Sequence, residues 1–294
     1  MCLRSLLFVP ADSERKLTKA AAARADALIL DLEDAVAAER KPAARELAAS
    51  FLRSQRDAAS AQVWVRVNAL STRDALLDLS AIVRAAPYGL VVPKVDHPSD
   101  LAGLSEMLGQ LEADSGIAVG STRLMPLLES PRGVLTAPAY LQIPLQRLSG
   151  MSWGAEDLAA ALGVPACRDG DREWSFALLS ARAQCLLVAR ALAVDAIDTV
   201  TRDFNNLDAL RADCLRSCAA GFSGKLAIHP SQVSVINETF APSPAQLAHA
   251  LRVVAAFEAA PGSGVVALDG VMIDIVHLNA AQRLVGAQTR AKAD

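Results

Sequence analysis

The chain has 294 residues and a formal net charge of −3; 52% of its residues are apolar, 21% charged and 4% aromatic. The near-neutral balance offers no basic face to nucleic acid, and no apolar stretch approaches the ~18–20 residues of a membrane span. Length and apolar fraction suit one large core, such as an α/β barrel of roughly 250 residues with an appendage.

The first apolar run, Leu6-Leu7-Phe8-Val9, stops at Pro10 and is too short for the core of a signal peptide. The cysteines are odd in number and scattered at Cys2, Cys167, Cys185, Cys214 and Cys218, with no C-x-x-C pair. They read as reduced packing residues, and the expected compartment is the cytoplasm.

Apolar runs at residues 5–9, 27–31, 62–67, 89–94, 123–128, 146–151, 196–200 and 225–229 predict eight strands. Alanine-rich stretches of helical period lie between them, at 12–24, 35–54, 72–85, 98–115 and 206–220, with start signals at Asp12 and Ser99. Continuous Val/Ile/Leu strands separated by helices imply a parallel sheet covered by helices. Eight such units predict a TIM (β/α)8 barrel over residues 1–234. An open doubly wound sheet is the alternative, but no G-x-G-x-x-G follows the first strand and no Walker loop occurs. Residues 235–294 predict a C-terminal helical lid: a break at Pro242–Pro244, a helix over 245–260, a hinge at Pro261-Gly262-Ser263-Gly264, and a helix after Asp274.

In a barrel, catalytic groups come from the C-terminal ends of strands. The second run ends in Asp31-Leu32-Glu33-Asp34, the third in Arg66-Val67-Asn68, the fourth in Lys94, the fifth in Glu129-Ser130, and the eighth in His229-Pro230. The sixth leads into Trp153-Gly154-Ala155-Glu156-Asp157. Glu129 and Asp157, on successive strand ends, can share one hard cation. Two carboxylates completed by waters and substrate oxygens suit Mg²⁺ or Mn²⁺, whereas four histidines and scattered cysteines do not suit zinc. Arg66 supplies a bidentate fork for a substrate carboxylate or enolate oxygen. Each residue also has a plainer role: Glu129, Glu156 and Asp157 as acids at helix N-termini, Arg66 and Lys94 as ion-pair partners, and Asp31, Glu33 and Asp34 as helix starters. Acids and bases recurring at six strand ends favour a metal-dependent barrel enzyme.

At these residues the chain resembles the citrate lyase beta-subunit/malyl-CoA lyase family. The matching segments include Arg4-Ser5-Leu6-Leu7-Phe8-Val9-Pro10, Leu30-Asp31-Leu32-Glu33-Asp34-Ala35-Val36, Val65-Arg66-Val67-Asn68 and Val92-Pro93-Lys94-Val95. They continue through Leu128-Glu129-Ser130-Pro131-Arg132-Gly133, Gly154-Ala155-Glu156-Asp157-Leu158, and Gly221-Phe222-Ser223-Gly224-Lys225 to Ile228-His229-Pro230, collinear over nearly the whole chain. The resemblance implies a trimeric TIM barrel that makes or breaks a carbon–carbon bond in a β-hydroxyacyl thioester, carried on CoA or on a carrier protein. By position, Glu129 and Asp157 look like the Mg²⁺ ligands, with Glu129 also beside the substrate. Arg66 looks like the arginine that holds the keto-acid or enolate oxygen. Asp31, Glu33, Lys94 and Glu156 look like the groups that surround the metal and its waters.

Met272-Ile273-Asp274 resembles the segment that, in the thioester lyases, lends an aspartate to the neighbouring subunit's site, so Asp274 is the expected general acid/base. Val276 and Asn279 depart from the proline and basic residue that often follow this motif. A helix N-cap is the plainer role for Asp274, and a loop-fixing role is expected of His229. The implied function is Mg²⁺-dependent cleavage of a malyl-, citramalyl- or citryl-type thioester to acetyl-CoA and a 2-keto acid. Two alternatives stand beside it: a class II pyruvate aldolase acting on free hydroxy-keto acids, and a non-catalytic trimeric subunit of a lyase complex. The aldolase relatives carry a histidine base where this chain has Asp31-Leu32-Glu33-Asp34.

Overall fold

The structure is a computed structural model that describes residues 3–55, 61–164, 168–169 and 173–293. Two compact units result, one formed by Leu3–Glu238 and one beginning at Thr239.

The first unit contains β1 (Ser5–Pro10), β2 (Ala27–Asp31), β3 (Gln62–Arg66), β4 (Gly89–Val92), β5 (Arg123–Leu128) and β6 (Gly150–Trp153). A two-stranded ribbon, β7 (Arg168–Asp169) with β8 (Glu173–Trp174), precedes β9 (Asp195–Asp198) and β10 (Gly224–Ala227). The eight strands other than the ribbon close into a parallel barrel in the order β1-β10-β9-β6-β5-β4-β3-β2. The predicted (β/α)8 architecture is therefore correct. Its helices are α1 (Glu14–Ala21), α2 (Lys41–Gln55), α3 (Arg73–Ile82), α4 (Pro98–Asp114), α5 (Pro131–Thr136), α6 (Ala155–Leu162), α7 (Phe176–Ala191) and α8 (Leu207–Ala220). A ninth, α9 (Ser231–Phe240), runs across the division between the units.

Leu6, Ile29, Trp64, Val91, Met125, Ile197 and Leu226 belong to one buried cluster. Trp64 takes so much of this space that a Cβ on Gly89, in the adjacent strand, would lie 2.7 Å from its Cε3 and closer still to Cζ3. Burial pushes the thiol of Cys214 up to about 12, which fits a packing residue and not a nucleophile; Cys2 and Cys167 lie outside the described residues.

The boundaries differ in places from the periodicity. The sixth strand was expected over 146–151 but starts at Gly150, because Leu148 N bonds back to Leu145 O in a turn and Leu148 makes only an isolated bridge to Leu124. The fourth strand ends at Val92, since Lys94 takes a left-handed φ of 52°. The second helix starts at Lys41, after a 3₁₀ turn over Ala38–Arg40.

The second unit contains α10 (Pro244–Glu258), β11 (Val265–Leu268), β12 (Val271–Asp274) and α11 (Ile275–Ala293). Ser243 caps α10 through a reciprocal pair of bonds with Gln246. The expected hinge leads into an antiparallel hairpin rather than straight to a helix. Its two-residue turn is Asp269-Gly270, with φ of 53° and 78°, as the tight hairpin turn requires. Ala250, Val253, Phe257, Ile273 and Ala281 form this unit's core. No helix among the described residues is long and apolar enough to cross a membrane.

Candidate active site at the barrel mouth

The strand register brings the predicted polar residues together. Asp31 and Arg66 are Cα partners at the ends of β2 and β3, and Arg66 donates Nε and Nη2 to the two carboxylate oxygens of Asp31 at 2.8 and 2.6 Å. Arg66 Nη1 is 3.0 Å from Glu33 Oε2, and its guanidinium lies over the Phe8 ring at 4.8 Å. Burial disfavours its charge, but Asp31, then Glu33 and Glu129, outweigh that and hold its pKa above the ordinary arginine value. This fork is locked in orientation by carboxylates on its far side.

Lys94 connects three carboxylates at the mouth. Its Nζ lies 2.7 Å from Glu33, 3.2 Å from Asp34 and 3.9 Å from Asp157, while its backbone N–H donates to Glu129 Oε1 at 2.9 Å. The left-handed φ of Lys94 is uncommon for a side-chain-bearing residue and is characteristic of functional sites. Burial pushes the Glu33 carboxyl up, against the pull of Arg66 and Lys94.

Glu129 is 3% exposed. Its carboxyl is pushed up to about 8, first by burial, then by the charges of Asp157 and Glu33. A cation between Glu129 and Asp157 would remove that penalty. The donor set is two hard carboxylates, and no cluster of three or more His, Cys, Asp or Glu poised for a metal occurs among the described residues. The fit is therefore to an oxygen-seeking divalent ion that takes its remaining ligands from water or substrate.

A cavity of about 400 Å³ opens at these strand ends. Asp31, Arg66, Glu129, Glu156 and Asp157 line its polar side, and Phe8, Leu127, Val200 and Leu226 its apolar side. Glu156 pairs with Arg202 at 3.1 Å, and Glu33 and Lys94 brace the polar side from behind. His229 stacks on Phe204 with ring centroids 4.6 Å apart and lies 2.7 Å from Ser231 Oγ, the loop-fixing role expected of it.

Asp274 belongs to the second unit, at the end of β12. Its Oδ1 accepts from Val276 N at 3.0 Å and His277 N at 3.3 Å and lies 2.7 Å from His277 Nδ1. These contacts hold its carboxyl below the usual carboxylate range, His277 first among them. The plainer N-cap geometry is thus present, and Oδ1 alone is used for it.

Sequence reasoning assigned nothing to Asp198 and Lys225. Both are buried, and both hold groups that wall the cavity: Asp198 accepts from Trp153 Nε1 at 2.7 Å, and Lys225 Nζ donates to Thr199 O at 2.6 Å. A charge inside an otherwise apolar strand run was the available signal.

The HpcH/HpaI aldolase/citrate lyase family model matches residues 4–230. A (3S)-malyl-CoA thioesterase of Cereibacter sphaeroides is 36% identical over 293 residues, covering 99% of this chain and 94% of that protein. Citrate lyase subunit beta of Escherichia coli is 35% identical over 275 residues, covering 92% and 88%. Among solved structures, the protein CitE of Mycobacterium tuberculosis in complex with magnesium, acetoacetate and coenzyme A is similar with a TM-score of 0.76 and 33% identity, covering 96% of this chain and 98% of that one.

Proposed function

The chain belongs to the HpcH/HpaI aldolase/citrate lyase family, and on that premise we propose that it is a Mg²⁺-dependent carbon–carbon lyase. Its substrate is a β-hydroxyacyl-CoA of malyl, citramalyl or citryl type, and its products are acetyl-CoA and a 2-keto acid. The observation that carries this proposal is the carboxylate pair Glu129 and Asp157 set beside the locked fork of Arg66. Names of relatives, malyl-CoA thioesterase and citrate lyase subunit beta, and a neighbour's complex with magnesium and coenzyme A support it.

Glu129 and Asp157 would hold Mg²⁺, with Mn²⁺ as a substitute, and the bound ion supplies Lewis-acid polarisation of the hydroxy-acid oxygens. Arg66 presents the N–H groups not used on Asp31 and Glu33 to the oxygen that becomes the keto group. Asp31, Glu33 and Lys94 keep that fork and the Glu129 carboxylate from moving as charge develops. Asp274, ionised at the start, takes the hydroxyl proton on Oδ2; the C–O bond becomes a carbonyl, the adjacent C–C bond breaks, and its electron pair passes to the thioester as an enolate. Asp274 then returns that proton from Oδ2, the oxygen not engaged by its own helix, to the enolate carbon and is again ionised. In this scheme residues 235–294 act as a lid, and the working form is a cytoplasmic homotrimer in which Asp274 serves a neighbouring subunit.

The decisive experiment mixes purified protein and Mg²⁺ with malyl-CoA, citramalyl-CoA and citryl-CoA and follows release of acetyl-CoA. Cleavage that disappears in Asp157→Ala is the expected result. No cleavage of any of the three, or an Asp157→Ala variant as active as wild type, would overturn the assignment.

A further inference from the structure

Behind the cavity wall lies a buried charge cluster that none of these steps uses. Asp198, the last residue of β9, is 2% exposed. Its Oδ1 accepts from Trp153 Nε1 at 2.7 Å and Thr199 N at 3.0 Å. Its Oδ2 accepts from Arg182 Nη2 at 2.7 Å and Ser217 Oγ at 2.6 Å, and Arg182 Nε lies within reach of both oxygens. Lys225, on β10 and fully buried, donates to Thr199 O at 2.6 Å and pairs with Asp213 at 3.0 Å. Thr199 is thereby held through its N–H and its C=O at once.

Asp198, Arg182 and Lys225 do not line the cavity, whereas Trp153, Gly154, Ala155 and Thr199 do. Well-packed apolar residues in place of a buried ion pair are often neutral or stabilising, so stability alone does not account for such a cluster. A fixed position for the groups it holds does.

Those groups lead directly to the carboxylate pair. Trp153 is the register partner of Leu128, and Gly154 N donates to Leu128 O at 3.2 Å, one residue before Glu129. Thr199 Oγ1 accepts from Ala155 N at 3.5 Å, and Ala155 opens α6, whose first turn carries Asp157. We propose that Asp198 is a positioning residue: through Trp153 and Thr199 it sets the start of α6, and so the separation of Asp157 from Glu129. This rests on the assignment of those two carboxylates as the cation's ligands.

Calorimetric Mg²⁺ titrations with pyruvate present, and crystal structures, test it on wild type, Asp198→Asn, Trp153→Phe and Ser217→Ala. Asparagine keeps the volume but turns an N–H₂ toward donors. Phenylalanine keeps an aromatic ring and removes only the indole N–H. Ser217 bonds the same aspartate from the side away from the cavity wall. The Mg²⁺ dissociation constant is expected to rise about tenfold in Asp198→Asn and Trp153→Phe and to stay within about twofold in Ser217→Ala. In the crystal of Asp198→Asn, residues 153–157 are expected to shift relative to Glu129. A folded Asp198→Asn protein with the wild-type constant, or equal weakening in Ser217→Ala, overturns the proposal. If Asp198→Asn does not fold, Trp153→Phe decides by the same criterion. If wild type takes up no Mg²⁺, the functional assignment fails by itself; positioning is then judged on the crystals, and unmoved Glu129 and Asp157 carboxylates overturn it.

Discussion

Gly154 and Glu129 face each other across the seam between β5 and β6, and the missing side chain of one makes the room for the other. A methyl group at position 154 would lie 2.7 Å from Glu129 Cβ and closer still to Oε2. The backbone of Gly154, at φ −111° and ψ 104°, is extended and open to any residue. Space alone therefore requires glycine here. Gly154→Ala should fold, with an overpacking cost of about 1–3 kcal/mol. It should lose Mg²⁺ affinity by roughly the 10–100-fold typical of a disturbed ligand environment. Wild-type Mg²⁺ binding in calorimetry would show that Glu129 is not held where the cation sits.

Removing a ligand should uncouple Mg²⁺ from stability. A ligand that binds only the folded state adds about 2.7 kcal/mol at a hundred times its dissociation constant. Wild-type protein should accordingly melt higher with Mg²⁺, and Asp157→Ala and Glu129→Gln should not. Differential scanning fluorimetry with and without EDTA measures this, and an undiminished shift in both variants would place the ion elsewhere.

Arg66 is distinguished from a generic cation by its fork. With Nε and Nη2 on Asp31, the plane of the guanidinium is set before substrate arrives. Lysine keeps the charge but cannot hold both oxygens of Asp31 in that plane. Arg66→Lys should lower kcat by about 10²–10³, the usual effect of losing one preorganised electrostatic donor, with Mg²⁺ binding retained. Loss of Mg²⁺ binding instead would make Arg66 a structural partner of the acids and nothing more.

Another buried acid predicts the pH dependence of stability. Glu112, on α4 and fully buried, accepts from Arg147 Nη1 and Nη2 at 2.8 and 2.7 Å and from the backbone N–H groups of Gly120 and Thr122 at 2.7 and 2.8 Å. Burial alone would raise its pKa, but Arg147 and these amides lower it from 4.5 to about 2. A lowered folded-state pKa stabilises fully above the unfolded value and progressively less as pH falls toward the folded one. Glu112→Gln should thus cost about 3 kcal/mol at neutral pH, and the gap to wild type should narrow between pH 4.5 and 2. Urea melts across that range measure it; a gap independent of pH would mean that Glu112 acts by shape and not by charge.

The barrel and most of its mouth were legible because two separate signals agree. Apolar runs such as 27–31 gave strand positions, and the polar residues at their C-terminal ends, Asp31, Lys94 and Glu129, fell where a barrel places its chemistry. Pairwise detail was not legible. The spacing of Asp31 and Arg66 in sequence says nothing about their register, and only that register turns an arginine into an oriented fork. Asp198 and Lys225 stayed hidden inside strand runs, since an apolar pattern absorbs an occasional charge. The hairpin over Val265–Leu268 and Val271–Asp274 was missed for another reason. Asp269-Gly270 is a strong two-residue turn signal, but its strands are short and the glycine-rich segment before them read as a hinge.

Asp274 offers the sharpest test of the chemistry, because its N-cap role and its proposed acid/base role use different oxygens. Oδ1 carries the bonds from Val276, His277 N and His277 Nδ1. Oδ2 is left for the proton. Asparagine can keep the cap through its carbonyl oxygen while losing the titratable carboxyl. Asp274→Asn should therefore retain its fold and its Mg²⁺ and keto-acid binding, yet cleave thioester about 10²–10⁴ times more slowly, the range for a lost general acid/base. It should also fail to exchange deuterium from solvent into the methyl group of acetyl-CoA, followed by proton NMR in the presence of Mg²⁺ and pyruvate. An Asp274→Asn protein that exchanges and cleaves as wild type does would leave Asp274 as a helix cap and move the proton transfer to another group.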